Sequence, residues 1–198
     1  SGARKCIVPH LDLNRIEEEL SRPHPGGRTF IVTESYFSMD GDIAPLGDYA
    51  ELAEKYSAAL VVDDAHATGL FGDARGSGLA EEFGVESNCS AIVSTFGKAL
   101  GSFGAFVGGS RVLIDWLINR SRPFIFSTAT PPLLLGMMEA GVELCGDPGA
   151  RTRLHSLAGR LREALSAGGI DCSASRGPIV PVIIGSNEAA LEAARELG

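Results

Sequence analysis

The runs RTFIVTES (28–35) and AALVVDDA (58–65) are apolar and β-branched through their middles and end in polar residues. Runs of this length and texture predict parallel strands buried on both faces. Between them, PLGDYAELAEKYSA sets Leu46, Tyr49, Leu52 and Ala53 at helical spacing, with Pro45 suited to a first turn. Strand, helix, strand in that order is a βαβ unit, because two parallel strands cannot be joined by a tight turn. The expected class is therefore α/β with a mostly parallel sheet.

SAIVSTF (90–96) and FGAFVGG (103–109) predict a third and a fourth strand. The gap between them has no room for a crossover helix, so they are expected to be antiparallel neighbours. SRVLIDWLINRS predicts a helix starting at Ser110, and PPLLLGMMEAGVELCG another that opens at a proline pair. After GDPG (146–149) the texture becomes more polar. ARTRLHSLAGRLREALSAGG predicts an amphipathic helix, PIVPVII (178–184) a strand and NEAALEAAREL a last helix. Residues 1–146 are expected to belong to a large domain, and 147–198 to the start of a smaller α+β domain.

The 198 residues are 44% hydrophobic and 21% charged, enough apolar material for a real core. The net charge of -8 contains no basic block, which argues against a nucleic-acid face or an anionic membrane surface. No apolar run reaches membrane-spanning length and no secretory leader opens the chain, so a cytoplasmic protein is expected. Cys6, Cys89, Cys145 and Cys172 form no CxxC pair, so neither a zinc site nor a redox motif is expected and buried free thiols are.

Chemistry gathers at two places. The second strand delivers Asp63 and Asp64 to the carboxyl edge of the sheet, where open α/β folds bind ligands, and His66 follows. Lys98 follows the third strand among glycines at 97, 101, 104, 108 and 109. A phosphate-binding P-loop would need glycine at 92 and Ser or Thr at 99, where this chain has Ile92 and Ala99. A partly desolvated lysine amine near a buried aspartate and a histidine is the inventory for a pyridoxal phosphate Schiff base. On residues alone, an aspartate that merely caps a helix and a lysine that is merely solvated remain open.

TESYFSMDGDIAPL, VVDDAHATG, STFGKALGSFGAFVGG and RPFIFSTATPP, spanning 33–132, resemble four successive motifs of the α-oxoamine synthases, pyridoxal phosphate enzymes of fold type I. The resemblance implies that Lys98 bonds the cofactor and then moves protons at the substrate α-carbon. It gives Asp63 the pyridine nitrogen, His66 the phenolic oxygen, Ser38 a place beside the cofactor and Thr95 a phosphate contact. Ser127 and Thr128 would reach the phosphate of a neighbouring subunit, so a homodimer is implied. The implied reaction is decarboxylative condensation of an amino acid with an acyl thioester of CoA or acyl carrier protein. Alanine with a pimeloyl thioester is the preferred pair, and glycine-using relatives are the alternative.

Members of that family also carry a glycine-rich phosphate loop, a ring-stacking histidine and a carboxylate-binding arginine that this chain does not show, so it resembles a fragment, inactive in isolation. His10 does not match the stacking position, and His24 and His155 are expected at the surface. VVDDAH with STATPP also resembles helicase motifs, but no Walker lysine precedes them. An idle scaffold of the same fold is the blander rival. Because successive strand residues point to opposite faces, Asp64→Asn is expected to be milder than Asp63→Asn.

Overall fold

The computed structural model describes residues 2–22, 26–172 and 174–198, so His24 lies outside the described residues. Along the chain run α1 (Leu13–Ser21), β1 (Phe30–Glu34), α2 (Leu46–Lys55), β2 (Ala59–Asp63), α3 (Leu79–Glu82), β3 (Cys89–Thr95) and β4 (Ala105–Gly109). The helices α4 (Arg111–Arg120), α5 (Arg122–Ile125), α6 (Pro132–Cys145), α7 (Pro148–Ala167) and α8 (Asn187–Leu197) follow. Two compact units form, Ser1–Phe37 with Ile43–Arg151, and Ser38–Asp42 with Thr152–Gly198.

The first unit is built on one sheet in the order β1-β2-β3-β4. β1 pairs with β2 and β2 with β3 in parallel, whereas β3 and β4 are antiparallel, as the short gap between them requires. One sheet face is closed: Ile31, Leu60, Val62 and Ser94 are buried there. Helix α2 is capped by Pro45 and turns Leu46, Tyr49, Ala50 and Ala53 inward. The other face is open. Phe30 is 56% and Val32 72% exposed, so β1 is covered on one face and not on both as its texture predicts. Period-two alternation puts these residues opposite Ile31, and among the described residues no helix of this unit covers them.

In the first unit, two helices start on the side chains of their own N-cap residues. Asp12 accepts from Arg15 N at 2.9 Å to open α1, and Ser110 accepts from Leu113 N at 3.2 Å to open α4, as its position predicts. A third anchor closes the loop before α3. The Glu81 carboxylate accepts from Ala74 N at 2.9 Å, Arg75 N at 2.8 Å, Ser77 N at 2.8 Å and the Ser77 hydroxyl at 2.6 Å.

Burial of Glu81 favours its neutral form, but those four hydrogen bonds outweigh it and hold the pKa to about 2, against 4.5 for an ordinary glutamate. Because the folded value lies below the unfolded one, this contribution to stability is complete above about pH 4.5 and fades as the pH falls toward 2. Glu81→Gln is expected to cost about 2–3 kcal/mol at pH 7. Urea midpoints measured from pH 7 to pH 3 check this: the gap between wild type and variant should shrink with falling pH, and a constant gap would contradict it.

In the second unit the segment 178–184, expected as a strand, forms no ladder. Pro178 and Pro181 have no N–H to donate, and no strand is described in this unit for the segment to pair with. Val182, Ile183 and Ile184 are accordingly exposed. The segment is held from its start instead, by Ser175 Oγ donating to Ile179 O at 2.5 Å and Arg162 Nη1 to Gly177 O at 2.5 Å. Helix α8 begins at Ser186, which accepts from Ala189 N at 3.1 Å.

The four cysteines are free, but burial holds only for Cys172: Cys6 is exposed, and Cys89 and Cys145 are half-buried. Burial pushes the Cys89 thiol up to about 11, which keeps it protonated and unreactive. His155 is half-buried on α7 and not a surface residue as expected, while His10 is exposed and meets Phe37 edge-on. Among the described residues no helix is long and apolar enough to cross a membrane.

Candidate active site

The carboxyl ends of β2 and β3 carry the site. Asp63 ends β2, in register with Glu34 of β1 and Val93 of β3, and so belongs to the open face. Its Oδ1 accepts from Ala65 N at 2.9 Å, which starts the turn leading to His66. Thr95 ends β3 two residues beyond Val93, hence on the same face as Asp63.

The loop from Phe96 to Gly104 hangs from these ends and is closed by its own backbone. Phe96 N donates to Gly104 O at 2.9 Å, Ser102 N to Phe96 O at 2.8 Å and Gly101 N to Lys98 O at 3.0 Å. Gly101 at φ +61° and Gly104 at φ +97° occupy conformations open chiefly to glycine, which is why the lysine sits among glycines. The Thr95 hydroxyl donates to Gly104 O at 2.8 Å and accepts from Gly97 N at 3.1 Å, locking the loop to the strand.

This arrangement brings Lys98 Nζ within 2.8 Å of His66 Nε2, two residues 32 positions apart. Lys98 is exposed, which corrects the expectation of a partly desolvated amine, although α6 packs against the loop, with Gly141 against Leu100 and Met138 against Gly104. His66 and Asp63 are half-buried, so the expected buried aspartate is not Asp63.

The buried one is its neighbour. Asp64 is 1% exposed and faces the closed side. Its carboxylate accepts from the Ser35 hydroxyl, from Leu79 N at 3.2 Å and from Ala80 N at 3.3 Å, so it caps α3 and ties it to the end of β1. Burial raises its proton affinity, against the pull of the Ser35, Ala80 and Leu79 bonds. Gly78, at φ +131°, lies so close that a Cβ there would strike the carboxylate. Ser94 Oγ donates to Thr68 Oγ1 at 2.6 Å, and Thr68 Oγ1 in turn lies 3.1 Å from Asp64 O and from Ser77 O. Reading the sequence missed Ser35, Thr68, Ser94 and Glu81. The available signals were a serine inside an apolar strand and a second acid beside Asp63.

The remaining anticipated residues share no described hydrogen bond with Asp63, His66, Thr95 or Lys98. Ser127 and Thr128 are exposed between α5 and α6, and the Ser127 hydroxyl lies 3.5 Å from Thr128 O. Ser38 is exposed and belongs to the second unit.

A mostly parallel α/β sheet with a lysine and an imidazole converging at its carboxyl edge is the architecture of fold type I pyridoxal phosphate enzymes. The chain belongs to the aminotransferase class I and II family, whose sequence pattern matches residues 1–197. It is 43% identical over 200 residues to the 8-amino-7-oxononanoate synthase of Geobacter sulfurreducens, covering 100% of this chain and 51% of the relative. Identity to the same enzyme of Anaeromyxobacter dehalogenans is 43% over 198 residues, covering 100% and 49%. The chain spans about half the length of the curated relatives it matches.

Among solved structures, a serine palmitoyltransferase from S. paucimobilis with a bound PLP–myriocin aldimine superposes with a TM-score of 0.85 at 30% identity, over 90% of this chain and 47% of that one. The 8-amino-7-oxononanoate synthase of Francisella tularensis gives 0.79 at 26% identity, over 95% and 54%.

Proposed function

We propose that the protein carrying this chain is a pyridoxal phosphate-dependent C-acyltransferase that condenses L-alanine with a pimeloyl thioester to give 8-amino-7-oxononanoate, with release of carbon dioxide and the thiol carrier. The observation that carries the class is the 2.8 Å approach of Lys98 Nζ to His66 Nε2 beside Asp63. The curated 8-amino-7-oxononanoate synthases, at 42–46% identity, support the substrate pair.

The residues present fit the cofactor. The exposed Lys98 amine would bond its aldehyde, the Asp63 carboxylate would pair with its cationic ring nitrogen, and the His66 imidazole would contact its phenolic oxygen. Bound pyridoxal phosphate supplies the electron sink for a carbanion at the amino acid's α-carbon. Asp63 keeps the ring nitrogen charged. The Lys98 amine would take and return the proton at the α-carbon, and His66 would keep that amine aimed. The Thr95 hydroxyl proton is committed to Gly104 O, so its contact with a phosphate exchanges that bond. The family resemblance would further give Ser38 a contact with the cofactor, and Ser127 and Thr128 one with the phosphate of the second subunit in a homodimer.

Serine palmitoyltransferases among the structural neighbours make the choice of amino acid the discriminating question. Product analysis of the full-length protein with alanine, glycine and serine in competition for a pimeloyl thioester tests it. The expected product is 8-amino-7-oxononanoate from alanine. Exclusive use of glycine would move the protein to the glycine C-acyltransferases.

A further inference from the structure

Asp64 poses a problem of its own. A carboxylate taken out of water needs compensation, and no cation pairs with this one among the described residues. Three neutral donors from two parts of the unit, Ser35 and the first two amides of α3, converge on it instead. Its backbone is equally engaged. Asp64 N donates to Val93 O at 2.8 Å, and Asp64 O accepts from Ala67 N and Thr68 N, each at 2.9 Å. Every polar group of one residue is thus tied to β1, β3, α3 or the turn that follows, and that turn carries His66.

We propose that Asp64 is a positioning residue: together with Ser35, it fixes the Ala65–Thr68 turn so that His66 Nε2 meets Lys98 Nζ. It touches neither partner. The constraint runs through the backbone of the turn, pinned at its start by Asp64 N and O and at its end by Thr68, which Ser94 holds against β3. His66 projects from the middle, so a tilt of the turn moves its ring sideways relative to a loop that is locked separately by Thr95. A caged acid is suited to this role because an ionised carboxylate can accept from all three donors at once, whereas an amide offers one acceptor atom.

The role in catalysis rests on the function proposed above, and the test keeps the two apart. In the full-length, cofactor-free protein, the ring resonances of His66 are followed by NMR as Lys98 is changed to alanine. The change should shift them in the wild type, and the shift should fall by at least half in an Asp64→Asn or Ser35→Ala background. With the cofactor bound, both variants should lose about tenfold in kcat with KM for alanine unchanged, and Ser35→Thr should restore most of it. An unaltered His66 response, or a lowered melting temperature with wild-type kcat, would overturn the proposal. Ser35→Ala, which deletes one oxygen only, keeps the test decisive if Asp64→Asn fails to fold. A wild type that binds no pyridoxal phosphate would sink the proposed function, while the cofactor-free NMR arm would still decide the role of Asp64.

Discussion

Lys98→Ala in the full-length protein is expected to abolish the visible absorbance of bound pyridoxal phosphate and to lower turnover about a thousandfold or more, with the melting temperature nearly unchanged. The stability half follows from exposure: Lys98 is solvated, and among the described residues its side chain makes one polar contact, to His66. Exposed polar contacts of that kind contribute about 1 kcal/mol or less. The Phe96–Gly104 loop does not need the amine, since its closure runs through backbone bonds and the Thr95 hydroxyl. The activity half follows from the loss of the primary amine that meets His66. Absorbance before and after borohydride, a single-turnover assay and a thermal melt measure the three quantities. A variant that retains a borohydride-fixed adduct and normal turnover would remove Lys98 from the mechanism.

Asp63→Asn is expected to retain cofactor binding and to lose about a hundred- to a thousandfold in kcat. The substitution is clean because of how Asp63 is held. Its Oδ1 accepts from Ala65 N at 2.9 Å, and an asparagine oxygen can accept the same bond, so the turn toward His66 survives and only the charge is removed. A neutral amide cannot hold a ring nitrogen protonated by charge. At Asp64 the same substitution acts first on folding, since Leu79 N, Ala80 N and the Ser35 hydroxyl compete for one remaining acceptor. Spectral titration with pyridoxal phosphate, read beside kcat and urea midpoints for the two variants, separates the cases. Equal loss of kcat at both positions would contradict the separation.

Much of the first unit was legible because its elements obey simple periods. The βαβ unit, the antiparallel hairpin and the start of α4 at Ser110 follow from strand texture, loop length and a capping serine. Helix α1 escaped because it buries little beyond Ile16 and Glu19; its support comes from i,i+3 and i,i+4 pairs joining Arg15 and Arg22 to Glu18 and Glu19. The apolar run 178–184 misled because β-branched texture reports a preference for extended backbone, whereas a strand needs a partner with free N–H and C=O groups. At the candidate site, the meeting of Lys98 and His66 and the place of Asp63 at the end of β2 were legible from residue type and strand ends. Their supports, Ser35, Thr68, Ser94 and Glu81, were not, because ordinary polar residues acquire meaning only when distant segments meet.

The adjacent acids at the end of β2 point to opposite sides of one strand, Asp63 toward the open face and Asp64 into the closed one. Neighbouring codons therefore answer to different selective pressures. On the proposed function, drift at position 63 is judged by catalysis, since its side chain adds little to the core. Drift at position 64 is judged by folding, through donors that come from residues 35, 79 and 80, and also through the turn it pins beneath His66. A lineage can thus change the residue at position 63 without reopening the core beneath it, whereas an exchange of partners around Asp64 is felt both in the core and at the edge above it.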